Sequence, residues 1–115
     1  MKIRTAHVDD FKRIEPLLLE VEHHHARLEP EIFQAIDGYD REHFNDLVAN
    51  EYEVLFYAEI NHEVAGVLIA VEREFPPLPL FVGGKFVVVE ELSVTERFRR
   101  KGVAKALMAA AEEWA

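Results

Sequence analysis

The run from Phe86 to Trp114 constrains the fold most. A β-branched apolar segment (Phe86, Val87, Val88, Val89, then Leu92 and Val94) ends in a basic loop, and an alanine-rich segment follows with helical spacing. Arg97, Arg99, Arg100, Lys101 and Lys105 are crowded there beside a single acid, Glu96, in a chain of formal charge -9. The first N–H groups of a helix have no partner inside it, and they face whatever lies off the helix end. The helix dipole favours negative charge at that place. Gly102 lacks the Cβ that keeps an anion from the backbone. The segment therefore reads as a strand, a phosphate-holding loop and a helix start. The competing reading is a solvated basic turn next to acidic helices.

The rest of the chain sets bounds. Its 115 residues fit one domain, 1–115. Half of them are apolar, enough for a core. No apolar run approaches the ~20 residues that span a bilayer, and the N-terminus lacks a signal-peptide core. The net negative charge argues against general nucleic-acid binding and favours cationic partners. With no cysteine, disulfides and thiol chemistry are excluded, and a reducing, cytoplasmic setting is expected.

The element order reads βααβββα, an α+β sandwich with a mostly antiparallel sheet. Ile3 to Ala6 is an opening strand, and Asp9 or Asp10 can cap the helix after it. Phe11, Ile14, Leu17, Leu18 and Val21 give that helix one apolar face. Asp40 is expected to cap a second helix reaching about Asn50. Strands follow over Glu53–Ile60 and Glu63–Glu72, the latter with Gly66 as a candidate bulge. Pro76, Pro77 and Pro79 make an exposed loop, and Gly83–Gly84 reads as a hairpin turn into a strand over Lys85–Val94. The last helix is expected from about Gly102 to Trp114.

This order, with Arg99-x-x-Gly102-x-Ala104 at the strand-to-helix junction, resembles the GNAT acyltransferases. Their acyl-CoA signature is Gln/Arg-x-x-Gly-x-Gly/Ala. Glu90-Glu91-Leu92-Ser93-Val94 looks like the family's fourth strand, and the resemblance covers the whole chain. It implies acetyl-CoA as cosubstrate. Backbone amides of Arg100, Lys101, Gly102, Val103 and Ala104 would cradle the pyrophosphate. The strand at Leu92, Ser93 and Val94 would run beside the pantetheine arm, and the Val94 N–H would polarise the acyl carbonyl. Arg99, Arg100 and Lys105 would add charge near the phosphates.

Acyl transfer to an amine needs the amine neutral, and a carboxylate can take the proton. Glu90 and Glu91 lie beside the expected thioester. Alternation along a strand puts them on opposite faces, so at most one faces the acceptor cleft. In relatives of this family the connector after the first helix lines the acceptor pocket, which makes His24, His25 and Phe33 candidate substrate contacts. Glu20-x-x-His23 and Glu22-x-x-His25 have a spacing that can share an ion. A second contribution is needed, so no metal is expected. Tyr39, Tyr52 and Tyr57 are candidate pocket hydroxyls.

Members of the family normally continue past the third helix, so the chain reads as a fold truncated there. The outer edge of the Lys85–Val94 strand would then be unpaired. A homodimer covering that edge, or a longer parent chain, is expected. The leading reading is an N-acetyltransferase acting on a primary amine, with a cationic acceptor favoured. The alternatives are a non-catalytic GNAT-fold module that binds CoA, and a phosphate-ligand protein unrelated to CoA.

Overall fold

The structure is a computed structural model that describes residues 1–34, 36–77, 79 and 83–115. Four strands, β1 (Lys2–Thr5), β2 (Glu53–Ile60), β3 (Glu63–Phe75) and β4 (Gly84–Val94), pair antiparallel in the order β1-β2-β3-β4. The helices are α1 (Phe11–Leu28), α2 (Arg41–Ala49) and α3 (Val103–Trp114), and the βααβββα order is the expected one. Short 3-10 turns precede α1 at Val8–Asp10 and α3 at Glu96–Phe98.

Side-chain alternation in β2 and β3 divides the interior in two. Leu55, Tyr57 and Val67 face α1 and α2, packing with Ile14, Leu17, Leu18, Phe44 and Leu47. Val54, Phe56, Ala58, Leu68 and Ala70 face α3, packing with Val103, Leu107 and Ala111. Covered on both sides, these strands read as continuous apolar runs. Phe11 and Phe44 join α1 to α2 edge to face, with ring centroids 5.1 Å apart.

Asp40 caps α2 as expected, its carboxylate accepting from the amides of Glu42 at 2.9 Å and His43 at 3.3 Å. At α1 the cap differs from expectation. Asp10 reaches back to accept from the His7 amide at 2.9 Å and bonds no amide of α1. Gly83–Gly84 also departs from the two-residue turn. Gly84 already pairs with Phe75, so residues 76–83 lie between the strands. Prolines lack the N–H that a ladder needs, which ends the pairing there.

Gly66 is not itself the extra residue of a bulge. The register shift in β2–β3 falls on its neighbour, because Ala58 pairs with Gly66 and Glu59 with Val64, leaving Ala65 over. Gly66 serves close approach. A Cβ there would stand 2.8 Å from Val103 Cγ1, 3.0 Å from the Ser93 carbonyl oxygen and 3.2 Å from Leu107 Cδ1. The missing side chain lets α3 lie tight on the sheet and fixes where its N-terminus emerges.

Candidate active site

The loop from Thr95 to Gly102 is anchored by Phe98, which is buried in the α3-side core. Arg97 is engaged, with Nη2 2.7 Å from Glu63 Oε2 and its guanidinium 4.8 Å from the Phe98 ring centroid. Beyond Phe98 the chain turns twice through left-handed conformations, at Arg100 (φ 64) and Gly102 (φ 79). For a non-glycine residue this costs about 1–2 kcal/mol. Such outliers concentrate at functional loops. A Cβ on Gly102 would meet no atom within 4 Å, so what glycine supplies here is the backbone angle.

The loop leaves its donors open. Ala106 N–H bonds the Gly102 carbonyl at 3.1 Å, the first pairing at the head of α3. The N–H groups of Arg100, Lys101, Gly102, Val103 and Ala104 have no acceptor among the described residues, and no side chain caps the helix. The side chains of Arg99, Arg100, Lys101 and Lys105 are exposed and make no ion pair among the described residues. Open amides and unneutralised cations together form an anion-receptive surface.

β4 is the edge of the sheet among the described residues. Thr95 N–H bonds the Ala65 carbonyl at 2.9 Å. Adjacent pairs in an antiparallel ladder alternate between bonded and unbonded. The pair Gly66–Val94, and two residues on Leu68–Leu92, therefore turn the N–H and C=O groups of Val94 and Leu92 to the open side. Arg99 takes one of them: its Nε donates to the Val94 carbonyl oxygen at 3.3 Å.

The ladder carries one residue too many between Val89, opposite Ala70, and Glu91, opposite Ile69. That residue is Glu90. Simple alternation does not hold across a bulge. The two glutamates are separated by their partners. Glu90 reaches Arg73 Nη2 at 4.0 Å and does not line the cleft, whereas Glu91 Oε2 lies 3.3 Å from His25 Nε2.

A cleft of about 560 Å³ lies between the second half of α1 and β4. It brings together Glu91, Leu92, Ser93, Val94 and Arg99 with His24 and His25. Phe33 stays outside it and stacks on His25, with centroids 5.3 Å apart. Arg27 lines the cleft without having been singled out from sequence, Val21 was read there only as part of the apolar face, and Glu20 enters the cleft too. Only their place on the helix face of His24 could have pointed to them.

His23 is structural, its Nε2 2.7 Å from the Ile36 carbonyl oxygen. Among the described residues no three His, Asp or Glu side chains converge as a metal site. No tyrosine lines this cleft. Tyr57 is buried in the α1-side core, where burial first and then Asp10 push its hydroxyl above its ordinary range. Tyr39 is raised too, by burial and then by the charges of Glu22, Asp40 and Glu91.

Sheet order, bulged edge strand and unpaired amides ahead of α3 define a protein of GNAT-like fold. The chain belongs to the acetyltransferase (GNAT) family, whose model matches residues 18–115. No curated protein matches it. Among solved structures it is similar to a mutant of the BH1408 protein from Bacillus halodurans, at 21% identity and a TM-score of 0.90, covering 100% of this chain and 74% of that one. An acetyltransferase from Vibrio fischeri is similar at 19% identity and TM-score 0.76, covering 98% and 84%. The aminoglycoside antibiotic 6'-N-acetyltransferase from Acinetobacter haemolyticus follows at 23% and 0.69, covering 100% and 71%. No helix is long and apolar enough to cross a membrane among the described residues.

Proposed function

We propose that this protein transfers the acetyl group of acetyl-CoA to a primary amine. One observation carries the reading: five consecutive unpaired amides, Arg100 to Ala104, lie next to a strand whose Leu92 and Val94 main-chain groups face outward. A pyrophosphate suits the first feature and the amide-bearing pantetheine arm the second. Arg99, Arg100, Lys101 and Lys105 supply charge for the phosphates, and Ser93 lines the cleft between them and the acceptor. The Val94 N–H is the donor for the thioester oxygen as negative charge builds on it.

The amine nitrogen attacks the acyl carbon, the C–N bond forms, and the C–S bond breaks with its electron pair leaving on sulfur. Glu91 is the carboxylate that serves removal of the amine proton, directly or through a neighbouring group. Glu90, turned toward Arg73, has no part in this step. His24 and His25 bound the acceptor end, and Phe33 contributes only by packing on His25. Three carboxylates in the cleft, Glu20, Glu91 and Glu96, outnumber its two guanidiniums, Arg27 and Arg99, and with a chain charge of -9 they favour a cationic acceptor. Two structural relatives bear names in keeping with an amine acceptor, the aminoglycoside enzyme and a ribosomal-protein-alanine N-acetyltransferase from Brucella melitensis. We place the reaction in the cytoplasm, whose reducing conditions suit a cysteine-free chain. Beyond the Leu92–Val94 stretch that the pantetheine arm takes, a second copy of the chain covers the rest of the open edge of β4, a pairing that light scattering of the purified protein tests.

Calorimetric titration with acetyl-CoA, followed by thiol release with a panel of primary amines, tests the function. Uptake and release are expected. Uptake without release from any amine would mark a CoA-binding module, and no uptake by folded protein would end the acyl-CoA reading.

A further inference from the structure

We propose that His25 is the group that takes the proton from the acceptor's ammonium, with Glu91 holding it in the tautomer that can do so. This rests on the acyl-transfer reading above. His25 sits one turn before the end of α1, where its carbonyl still accepts from the Glu29 amide at 2.9 Å. Its ring makes two contacts outside α1 among the described residues. Glu91 Oε2 lies 3.3 Å from Nε2, and the Phe33 ring packs against the imidazole at a centroid distance of 5.3 Å with a tilt of 31°. The two partners come from different elements, the bulged strand and the connector, so the ring's place does not depend on α1 alone. His25 and Glu91 both line the cleft that Val94 borders.

The chemistry follows from donor and acceptor inventories. An ionised carboxylate only accepts hydrogen bonds, whereas a neutral imidazole has one N–H and one lone pair. Glu91 therefore fixes the hydrogen on Nε2 and leaves the lone pair on Nδ1, which has no partner among the described residues. In general an imidazole titrates nearer neutral pH than a carboxylate, which suits it better to general-base work there. The N–H bond of the ammonium breaks, Nδ1–H forms, and the freed nitrogen lone pair attacks the acyl carbon. The second proton of that nitrogen goes to the departing thiolate, and Nδ1–H later releases its own to water. Glu91 acts through His25 and is a positioning residue, its negative charge facing the imidazolium that forms.

Long-range proton–nitrogen NMR of the full chain reads the tautomer directly. His25 is expected with hydrogen on Nε2 in the wild type, and E91Q should mix the two tautomers. With acetyl-CoA and spermidine, an aminoglycoside or a lysine peptide as acceptor, H25A should lower kcat/KM by about 10²-fold or more. It should leave acetyl-CoA affinity at the wild-type level, and added imidazole should restore part of the rate. A wild type with hydrogen on Nδ1, or H25A turning over as fast as the wild type, overturns the proposal and leaves acyl transfer standing. A wild type that takes up no acetyl-CoA overturns both.

Discussion

Arg99 Nε donates to the carbonyl oxygen of Val94 across 3.3 Å, tying the loop ahead of α3 to the end of β4. The guanidinium thus sits between the two main-chain surfaces that the proposed function uses, the open amides on one side and the outward edge of the strand on the other. The tie spans only five residues of chain, so it sets the local angle between strand and helix.

Removing that tie tests its importance. R99A should weaken CoA binding about ten- to hundredfold, the range for losing a hydrogen bond to a charged group. R99K keeps the charge without the planar fork and should recover part of it. Titration calorimetry at fixed ionic strength measures both. Unchanged affinity in R99A would show that the loop holds its shape alone.

Gly102 carries a positive φ with no crowding around it, so G102A separates strain from space. The substitution should cost about 1–2 kcal/mol in urea unfolding, from the left-handed backbone. CoA affinity should fall further than stability does, because relieving the strained angle turns the open amides of the loop away from a common point. Equal binding would place the phosphates elsewhere.

Gly66 is the reverse case, with ordinary backbone and no room. G66A drives a methyl into Val103, Leu107 and the Ser93 carbonyl and should cost about 1–3 kcal/mol. The urea midpoint is the measurement. A neutral result would mean that α3 slides freely on the sheet.

Glu59 takes Arg13 Nη2 at 2.6 Å and Arg4 Nε at 3.5 Å. The Arg13 hydrogen bond, opposed by burial, holds its carboxyl below the ordinary value of 4.5. A carboxyl lowered on folding adds stability that is complete above its unfolded value and is lost as pH falls through the folded one. The melting-temperature gap between wild type and E59Q should therefore be widest near neutral pH and close in acid. A gap that stays constant into acid would assign it to packing.

Much of this arrangement was legible in the sequence because it is written in period and punctuation. β2 and the start of β4 follow from apolar runs, and α3 from the spacing of Val103, Ala106, Leu107, Ala110 and Trp114, of which Val103 and Leu107 are buried. The loop stood out because its cations break an otherwise acidic chain. What depends on distance across the fold was not legible. The extra residue at Glu90 is a property of pairing with β3, and nothing in Glu90-Glu91 marks it. Gly66 looked like a bulge because its clash with Val103 exists only once α3 has docked. The contact of His25 with Glu91 joins residues 66 apart in the chain. Asp10 was named as a cap, but its carboxylate serves the amide behind it.

Among the described residues the buried apolar side chains form two clusters back to back, one under α1 and α2 and one under α3, with the sheet as their common wall. Each can be altered while the other stays intact. On the proposed function, side chains on the α1 side can change with the acceptor while the main-chain donors at the head of α3 keep their shape, so selectivity and anchoring would vary separately.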